Sequence, residues 1–242
     1  MPPDRFVNCR QSPLFAVVLA LLTLAGCAST SPAPHLEAAT ADSARRWHTS
    51  CFRFHLDTQQ RPVWALDLLL ADRVLAPALE TYRADIPLWR VHRRYADDAA
   101  GHQFSVLMYT SDISYREITQ AFDRHPALRA LQDNGRLRQV QHGCRAEQST
   151  AAVEATSDPA WDPAIQRTWP HFIMGVSASW LALIQDLATQ TPPEEARLLD
   201  AYADIDTRIS ELWAGQGQHA YLHHLSGVYG YKPLRIQTLM QY

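Results

Sequence analysis

The chain has 242 residues, of which 47% are hydrophobic, and a formal net charge of −3 from 22 Lys+Arg and 25 Asp+Glu. This length is enough for one large domain or two small ones with a buried core. A mildly acidic chain without a block of basic residues lacks the electrostatic footprint of a nucleic-acid-binding protein, so we expect no nucleic-acid partner.

Residues 1–26 have the three parts of a secretory signal peptide. Arg5 and Arg10 make the first part positive, and the uninterrupted apolar segment LFAVVLALL follows at Leu14 to Leu22. This segment is too short to cross a bilayer as a helix, and the small residues before position 27 suit a cleavage site. We therefore expect 1–26 to be removed during export.

The end of this segment, Leu24-Ala25-Gly26-Cys27, resembles the lipobox of bacterial lipoproteins. The resemblance implies that Cys27 receives a diacylglycerol, becomes the new N-terminus and holds the protein to a membrane through acyl chains such as palmitate. Ala28 follows the cysteine in place of Asp, which implies an outer-membrane lipoprotein facing the periplasm if the host is Gram-negative. The alternative is a retained anchor helix with an incidental cysteine, and both interpretations place the remainder outside the cytoplasm.

Residues 27–46 are rich in Ala, Ser, Thr and Pro and contain few large apolar residues. Such a composition indicates a solvated, flexible tether between the membrane and the folded part.

Residues 47–142 show alternating strand and helix periodicities. The order predicts an α+β unit with the ferredoxin-like βαββαβ arrangement, in which a four-stranded antiparallel sheet carries both helices on one face. The predicted elements are a strand at Ser50–Leu56, a helix from Pro62 with a kink or break at Pro77, strands at Ile86–Tyr95 and His102–Tyr109, a helix at Asp112–Phe122 capped by Ser111 or Asp112, a short helical turn to Leu131, and a weaker strand at Arg136–His142.

A polar second linker is predicted at 143–163, and residues 164–242 then follow a helical period. We expect this C-terminal helical segment to pack on the sheet unit, with Trp180 and Trp213 as core anchors. The predicted elements are a helix with Phe172, Ile173, Val176, Trp180, Leu183, Ile184 and Leu187 on one stripe behind Pro170, a helix that starts at the capping box Thr191-Pro192-Pro193-Glu194 and bears Leu198, Tyr202, Ile205, Ile209 and Leu212, a short helix at Gln218–Leu225 after Gly215 and Gly217, and a non-helical tail from Val228.

The cysteines predict one disulfide bond. Cys9 leaves with the signal peptide and Cys27 carries the lipid, so Cys51 and Cys144 remain in an oxidising compartment. In the predicted sheet the first and fourth strands are antiparallel neighbours, which brings the start of one beside the end of the other. The alternative is a pair of buried free thiols.

Two groups of residues are candidate sites. His92 and Arg94, with His102 across the predicted hairpin, could form a pocket for a small anion, although alternating polar residues are also typical of a solvated sheet face. His219 and His223 form an i, i+4 pair that Glu211 or Asp206 could complete as a metal site. This segment lacks the HExxH glutamate, and we expect no metal there.

The sequence contains no phosphate loop, no dinucleotide fingerprint and no paired Cys-x-x-Cys, so we expect no cofactor. We expect a lipid-anchored envelope protein that acts as a non-enzymatic binding or accessory module, with an envelope protein or a small anionic ligand as its partner. The alternative is a tethered periplasmic enzyme or ligand binder that uses His92, Arg94 and His102. The missing catalytic motif favours the first interpretation.

Overall fold

A computed structural model describes residues 45–94, 101–145, 149–190 and 197–232 of the chain. All described residues belong to one compact unit. The predicted signal peptide, the lipobox with Cys27, the capping box at 191–194 and nearly all of the predicted tether lie outside the described residues.

Four strands and seven α-helices are present in the described residues, with one 3₁₀ and two π-helical segments. In chain order they are β1 Arg45–Phe54, α1 Ala65–Leu70, a π-helical turn Ala71–Leu75, α2 Ala76–Thr81, β2 Leu88–Arg94, β3 Gln103–Ser111, α3 Asp112–Arg124, α4 Pro126–Asp133, β4 Leu137–His142, a 3₁₀ helix Val153–Thr156, α5 Pro163–Gln190, α6 Leu198–Leu212, a π-helical segment Trp213–His223, and α7 His224–Val228.

The strands form one antiparallel sheet in the order β2-β3-β1-β4, which confirms the predicted α+β class. The predicted adjacency of the first and fourth strands is also confirmed, with Ser50 opposite His142 and Phe52 opposite Val140. The wider ferredoxin-like assignment stays a prediction. β1 starts at Arg45, so the last two residues of the predicted tether belong to the sheet.

One face of the sheet, which we call the helical face, carries the main core. Phe52 and Phe54 of β1 alternate with residues of the opposite face, and Phe104, Val106 and Met108 continue the apolar surface on β3. This surface packs against apolar residues of α1, α3, α4, α5 and α6, of which the most buried are Leu66, Leu68, Ile118, Phe122, Ile184 and Tyr202. Both helices of the predicted unit and the C-terminal helices therefore contribute to one core.

The predicted kink or break at Pro77 takes the form of a π-helical turn just before the proline. The N–H of Ala76 bonds to the carbonyl of Ala71, five residues back, and Pro77 then lies in the first turn of α2. Proline lacks a backbone donor and tolerates a first-turn position. The helix therefore continues through Pro77 with a change of hydrogen-bond register.

The opposite face of the sheet, which we call the outer face, has a smaller apolar cluster of Trp47, Leu88, Leu107 and Tyr109. Part of the predicted 143–163 linker covers this cluster, because Trp47 Nε1 donates to Val153 O at 2.8 Å and Tyr109 Oη donates to Ala151 O at 2.7 Å. This stretch is therefore attached to the sheet over part of its length.

α5 begins at Pro163, seven residues before the predicted start at Pro170, which lies inside the helix. Asp162 caps this start, since its Oδ1 accepts from Ala164 N at 2.7 Å. α5 packs beside the edge strand β2, where Ser177 Oγ accepts from Val91 N at 3.2 Å. By length and composition, α5 is the one helix of the described residues that could cross a membrane, and 17% of its most apolar window is buried.

The C-terminal helices differ from the prediction after α6. Tyr202 and Ile205 of α6 are buried as expected, but Gly215 and Gly217 do not end the helix. They lie in a π-helical segment that joins α6 to α7 without a loop. Trp213, predicted as a core anchor, is 47% exposed, because the helix carries it past the edge of the core.

Cys51 and Cys144 form a disulfide bond, as predicted. Their Cα atoms are 6.1 Å apart and 93 residues separate them in the chain. The bond ties the buried central strand β1 to the segment that follows β4. The end of β4 lies beside the middle of β1, since His142 is opposite Ser50 in the antiparallel pairing.

Candidate functional site

The predicted pocket of His92, Arg94 and His102 does not form as a unit. His92 and Arg94 lie opposite Ser105 and Gln103 on the outer face. His102 precedes β3 on the helical face, where its ring contacts Phe54 and Trp64. The inclusion of His102 was wrong. Arg94 pairs with Gln103, so His102, one residue earlier, lies on the opposite face of the sheet from Arg94.

His102 instead belongs to an ionic cluster with Asp67, Arg93 and Asp206. The His102 imidazole donates through Nε2 to Asp67 Oδ1 at 3.0 Å, and Arg93 Nε donates to Asp67 Oδ2 at 2.8 Å. The side chains of Asp67 and His102 are fully buried. Asp67 therefore has a hydrogen bond on each carboxylate oxygen, which a buried carboxylate requires.

Arg93 connects this cluster to the C-terminal helices. Its guanidinium lies 4.7 Å from the ring centre of Trp64 and 5.3 Å from that of Trp180. It also reaches Asp206 of α6 at 3.6 Å. Burial raises the pKa of Asp206, and the nearby Arg93 opposes that shift. The ionic cluster thus connects α1, β2, the residue just before β3, and α6. Its cation, Arg93, also contacts the rings of Trp64 and Trp180.

A second polar contact lies one helical turn away on α6. The Tyr202 hydroxyl donates to Asp72 Oδ2 in the π-helical turn. Burial and the neighbouring Asp72 carboxylate raise the pKa of Tyr202. The π-helical turn and α1 are therefore each tied to α6 by a polar link, which fixes the position of α6 over the core.

The ionic cluster escaped the sequence analysis, although one signal was available. Asp67 is the single polar residue in the segment ALDLLL, whose six residues are all buried. An acidic residue is almost never fully buried without a partner, so its position predicts a buried cation or donor. The partner itself could not be identified, because it comes from a strand 26 residues away.

Arg90, His92 and Arg94 share the outer face of β2, and together with Arg145, whose charge acts on Arg90, they form what we call the cationic patch. Burial and the neighbouring charge of Arg145 lower the pKa of Arg90 to about 10. Arg90 also donates to Thr156 O at 3.4 Å, which holds it near the 3₁₀ helix. Two arginines kept this close on a partly buried surface favour the approach of an anion.

A serine, a histidine and an aspartate line up at the other edge of the sheet. Ser50 Oγ lies 2.8 Å from His142 Nδ1, and His142 Nε2 lies 3.1 Å from Asp123 Oδ1. Ser50 is fully buried and also bonds to the Tyr115 hydroxyl at 3.0 Å. A nucleophilic serine must reach its substrate, so this arrangement acts as a link between β1, β4 and α3.

A groove of about 550 Å³ runs between α2, β2 and α5. Its lining includes Asp72, Glu80, Arg83, Trp89 and Gln185, and its size is that of a small-molecule site. Both carboxylates in it already have partners, since Asp72 accepts from Tyr202 and Glu80 from Arg83.

The predicted histidine pair lies on the exposed C-terminal segment. The rings of His219 and His223 stack with centroids 4.8 Å apart. The two carboxylates that could have completed a metal site have other partners, Arg93 for Asp206 and Arg208 for Glu211. Within the described ranges, no group of three or more His, Cys, Asp or Glu side chains is placed to hold a metal ion.

Comparison of the chain with protein-family models, with curated proteins and with solved structures finds no match.

Proposed function

We propose that the protein is a lipid-anchored lipoprotein of the bacterial envelope that acts as a non-enzymatic binding or accessory module. The lipobox-like Leu24-Ala25-Gly26-Cys27 supports the anchor, and Ala28 supports the outer membrane of a Gram-negative host, with the folded unit in the periplasm. The observation that carries the proposal is the Cys51–Cys144 disulfide, because such bonds form and persist in oxidising compartments.

The polar arrangements of the described residues support a binding role over a catalytic one. Asp67 and His102 of the ionic cluster are fully buried, Arg93 is paired with both Asp67 and Asp206, and Ser50 is inaccessible beside His142. These groups connect secondary-structure elements. Among the described residues, the surfaces available for recognition include the cationic patch, the groove between α2, β2 and α5, and the exposed apolar residues of the C-terminal helices.

Replacement of Cys27 tests the anchor. The Cys27→Ser protein should leave the outer-membrane fraction or accumulate as an unprocessed precursor, and the intact mass of the wild type should include the acyl groups. Cys9→Ser is the matched control, because it changes a cysteine of the same N-terminal segment outside the lipobox. Normal processing and outer-membrane fractionation of Cys27→Ser would refute the proposal.

A second candidate function is the binding of a small anionic ligand at the cationic patch. The specific observation is that Arg90, held at the outer face by its bond to Thr156 O at 3.4 Å, is half-buried and lies within the field of the Arg145 charge. Inorganic phosphate and a dicarboxylate such as succinate are suitable probes. An anion that binds only the folded state raises the melting temperature as its concentration increases.

The Arg90→Gln variant should lose this stabilisation by anions, because it removes one charge of the pair. Arg208→Gln is the control. It removes an exposed arginine of α6 that pairs with Glu211 and does not belong to the cationic patch. Equal shifts of the melting temperature for the wild type and both variants would show that the anions act elsewhere.

A further inference from the structure

We propose that the N-terminal half of α5 rests on the surface of the membrane that holds the lipid anchor. The contact is an aromatic stripe on one side of this helix and just before it, composed of Trp161, Ile165, Trp169, Phe172 and Val176. This inference rests on the proposed anchor at Cys27 and adds to it a second, non-covalent contact with lipid.

The stripe is apolar and continuous, and four of its five residues are solvent-exposed, while Trp169 is half-buried. Ile165, Phe172 and Val176 are 53%, 42% and 47% exposed, and Trp161 is 37% exposed. Trp161 contacts Trp169 with ring centroids 5.0 Å apart, and Trp169 contacts Phe172 at 5.6 Å. Large exposed patches of this kind mark interaction surfaces.

The spacing of these residues places them on one side of the helix. Within α5 they recur at intervals of four, three and four, and the same side continues with Ser179 and Leu183. None of these positions is charged. The stripe therefore offers an uncharged surface about 17 Å long, at 1.5 Å per helical residue.

A different side of α5 belongs to the folded core. Its buried residues are Pro170, Ser177, Leu181, Ile184 and Ala188. Ser177 is further fixed to β2 by its bond to Val91. Since the helix is built into the fold along this side, it can lie on a bilayer with the stripe but cannot cross it as an independent span.

The aromatic content selects lipid as the occupant. Trp rings combine an apolar body with one polar N–H and concentrate where hydrocarbon meets water. Exposed Phe, Ile and Val supply the apolar contact that an interfacial helix needs. The absence of charge from the stripe means that binding does not depend on acidic headgroups.

The length of the chain between the anchor and the fold makes such a weak contact effective. Seventeen residues, 28–44, lie between Cys27 and Arg45, where β1 begins. A flexible chain of this length spans roughly 25 Å, and a fully extended one no more than about 60 Å. The folded unit is thus kept within reach of the bilayer, at an effective concentration that lets a low-affinity surface bind.

Fluorescence quenching by lipid tests this contact in the mature, membrane-attached protein. The protein is reconstituted into phosphatidylethanolamine–phosphatidylglycerol vesicles with or without bromine on the acyl chains near the headgroups. Bromine quenches tryptophans at the interface. We expect quenching in the wild type, loss of most of it in Trp161→Phe/Trp169→Phe, and no change in the control Trp213→Phe, which removes a tryptophan 47% exposed elsewhere.

A second variant keeps both tryptophans and disrupts the surface. Phe172→Glu/Val176→Glu places two charges in the stripe, which should lift it from the lipid and abolish the quenching. Circular dichroism verifies that each variant keeps its helix content. If the Trp161/Trp169 variant is quenched as strongly as the Trp213 variant, the stripe does not touch lipid and the proposal is wrong. Equal quenching is the result expected if the stripe instead binds a protein or a second copy of the chain.

The anchor is measured separately, by the mass of the acylated N-terminus. A chain without acyl groups refutes the lipoprotein proposal and leaves the retained anchor helix as the alternative means of attachment. The difference in quenching between the Trp161/Trp169 and Trp213 variants therefore reports on the stripe in either case.

Discussion

Removal of the Arg93 guanidinium is the most informative perturbation of the fold. Arg93 is the cation between the carboxylates of Asp67 and Asp206, at 2.8 Å and 3.6 Å. Arg93→Met keeps a long apolar side chain between Trp64 and Trp180 but deletes the charge. Asp67, which is fully buried, would then keep only its bond to His102.

The expected cost follows from the burial of the remaining charge. Removal of one partner from a buried ion pair destabilises a protein by about 3–5 kcal/mol. Because 27% of the Arg93 side chain is exposed, we expect the lower end, about 3 kcal/mol. The matched control is Arg83→Met, since Arg83 and its partner Glu80 are 77% and 70% exposed. An exposed pair of this kind contributes less than about 1 kcal/mol.

Urea unfolding followed by circular dichroism measures both free energies. Asp67→Asn in the Arg93→Met background should recover part of the loss, because it removes the uncompensated charge. If Arg93→Met costs no more than Arg83→Met, then Asp67 is not a buried charge that depends on Arg93, and the assignment of the ionic cluster is wrong.

Three further predictions concern the disulfide, a buried histidine and the histidine pair. Replacement of both Cys51 and Cys144 by Ala should lower the free energy of unfolding by about 4 kcal/mol, on the entropic model for a loop of this length. Two alkylatable thiols in the native, unreduced wild type would contradict the bond. Burial lowers the pKa of His48 below 6.5, so the folded state binds fewer protons than the unfolded state near that pH. The free energy of unfolding should therefore be undiminished by His48 above pH 6.5 and decline below it. Urea unfolding on both sides of that pH should show a weaker decline in His48→Gln, and an unchanged slope would exclude His48 as a source. A chelator should leave the melting temperature unchanged in the wild type and in His223→Ala, whereas a decrease confined to the wild type would reveal a metal at His219 and His223.

The order of elements up to β4 could be predicted because its signals are local. The alternation around Phe52 and Phe54 indicates a strand, and Ser111 caps α3 by accepting from Ser114 N at 3.1 Å, as its sequence position suggests. The disulfide followed from the same order, since antiparallel neighbours bring Cys51 and Cys144 together.

The pairing of polar side chains across elements could not be predicted in the same way. Residues 95–102 separate β2 from β3, and a connection of this length does not fix the register of the hairpin. The observed register puts Arg93 opposite Phe104 and Arg94 opposite Gln103, so Arg93 shares a face with His102. A register one residue different would have joined Arg94 to His102 as expected.

The start of α5 was misplaced because two prolines compete for it. Pro170 fits the first turn of a helix, but Asp162-Pro163 is the stronger signal, with an acceptor side chain followed by a residue without a donor. In α5 the residues Ser177, Leu181 and Ile184 face the core, whereas Phe172 and Val176 of the predicted apolar side are 42% and 47% exposed.

Ser177 makes the two edges of the sheet unequal. By accepting the hydrogen of Val91 N, it occupies an edge donor of β2 and places α5 alongside that strand. At the opposite edge, β4 has no further strand beside it among the described residues. Strand addition by another chain is therefore obstructed at β2, whereas the part of the chain that the structure describes leaves the β4 edge, next to the disulfide, open to it.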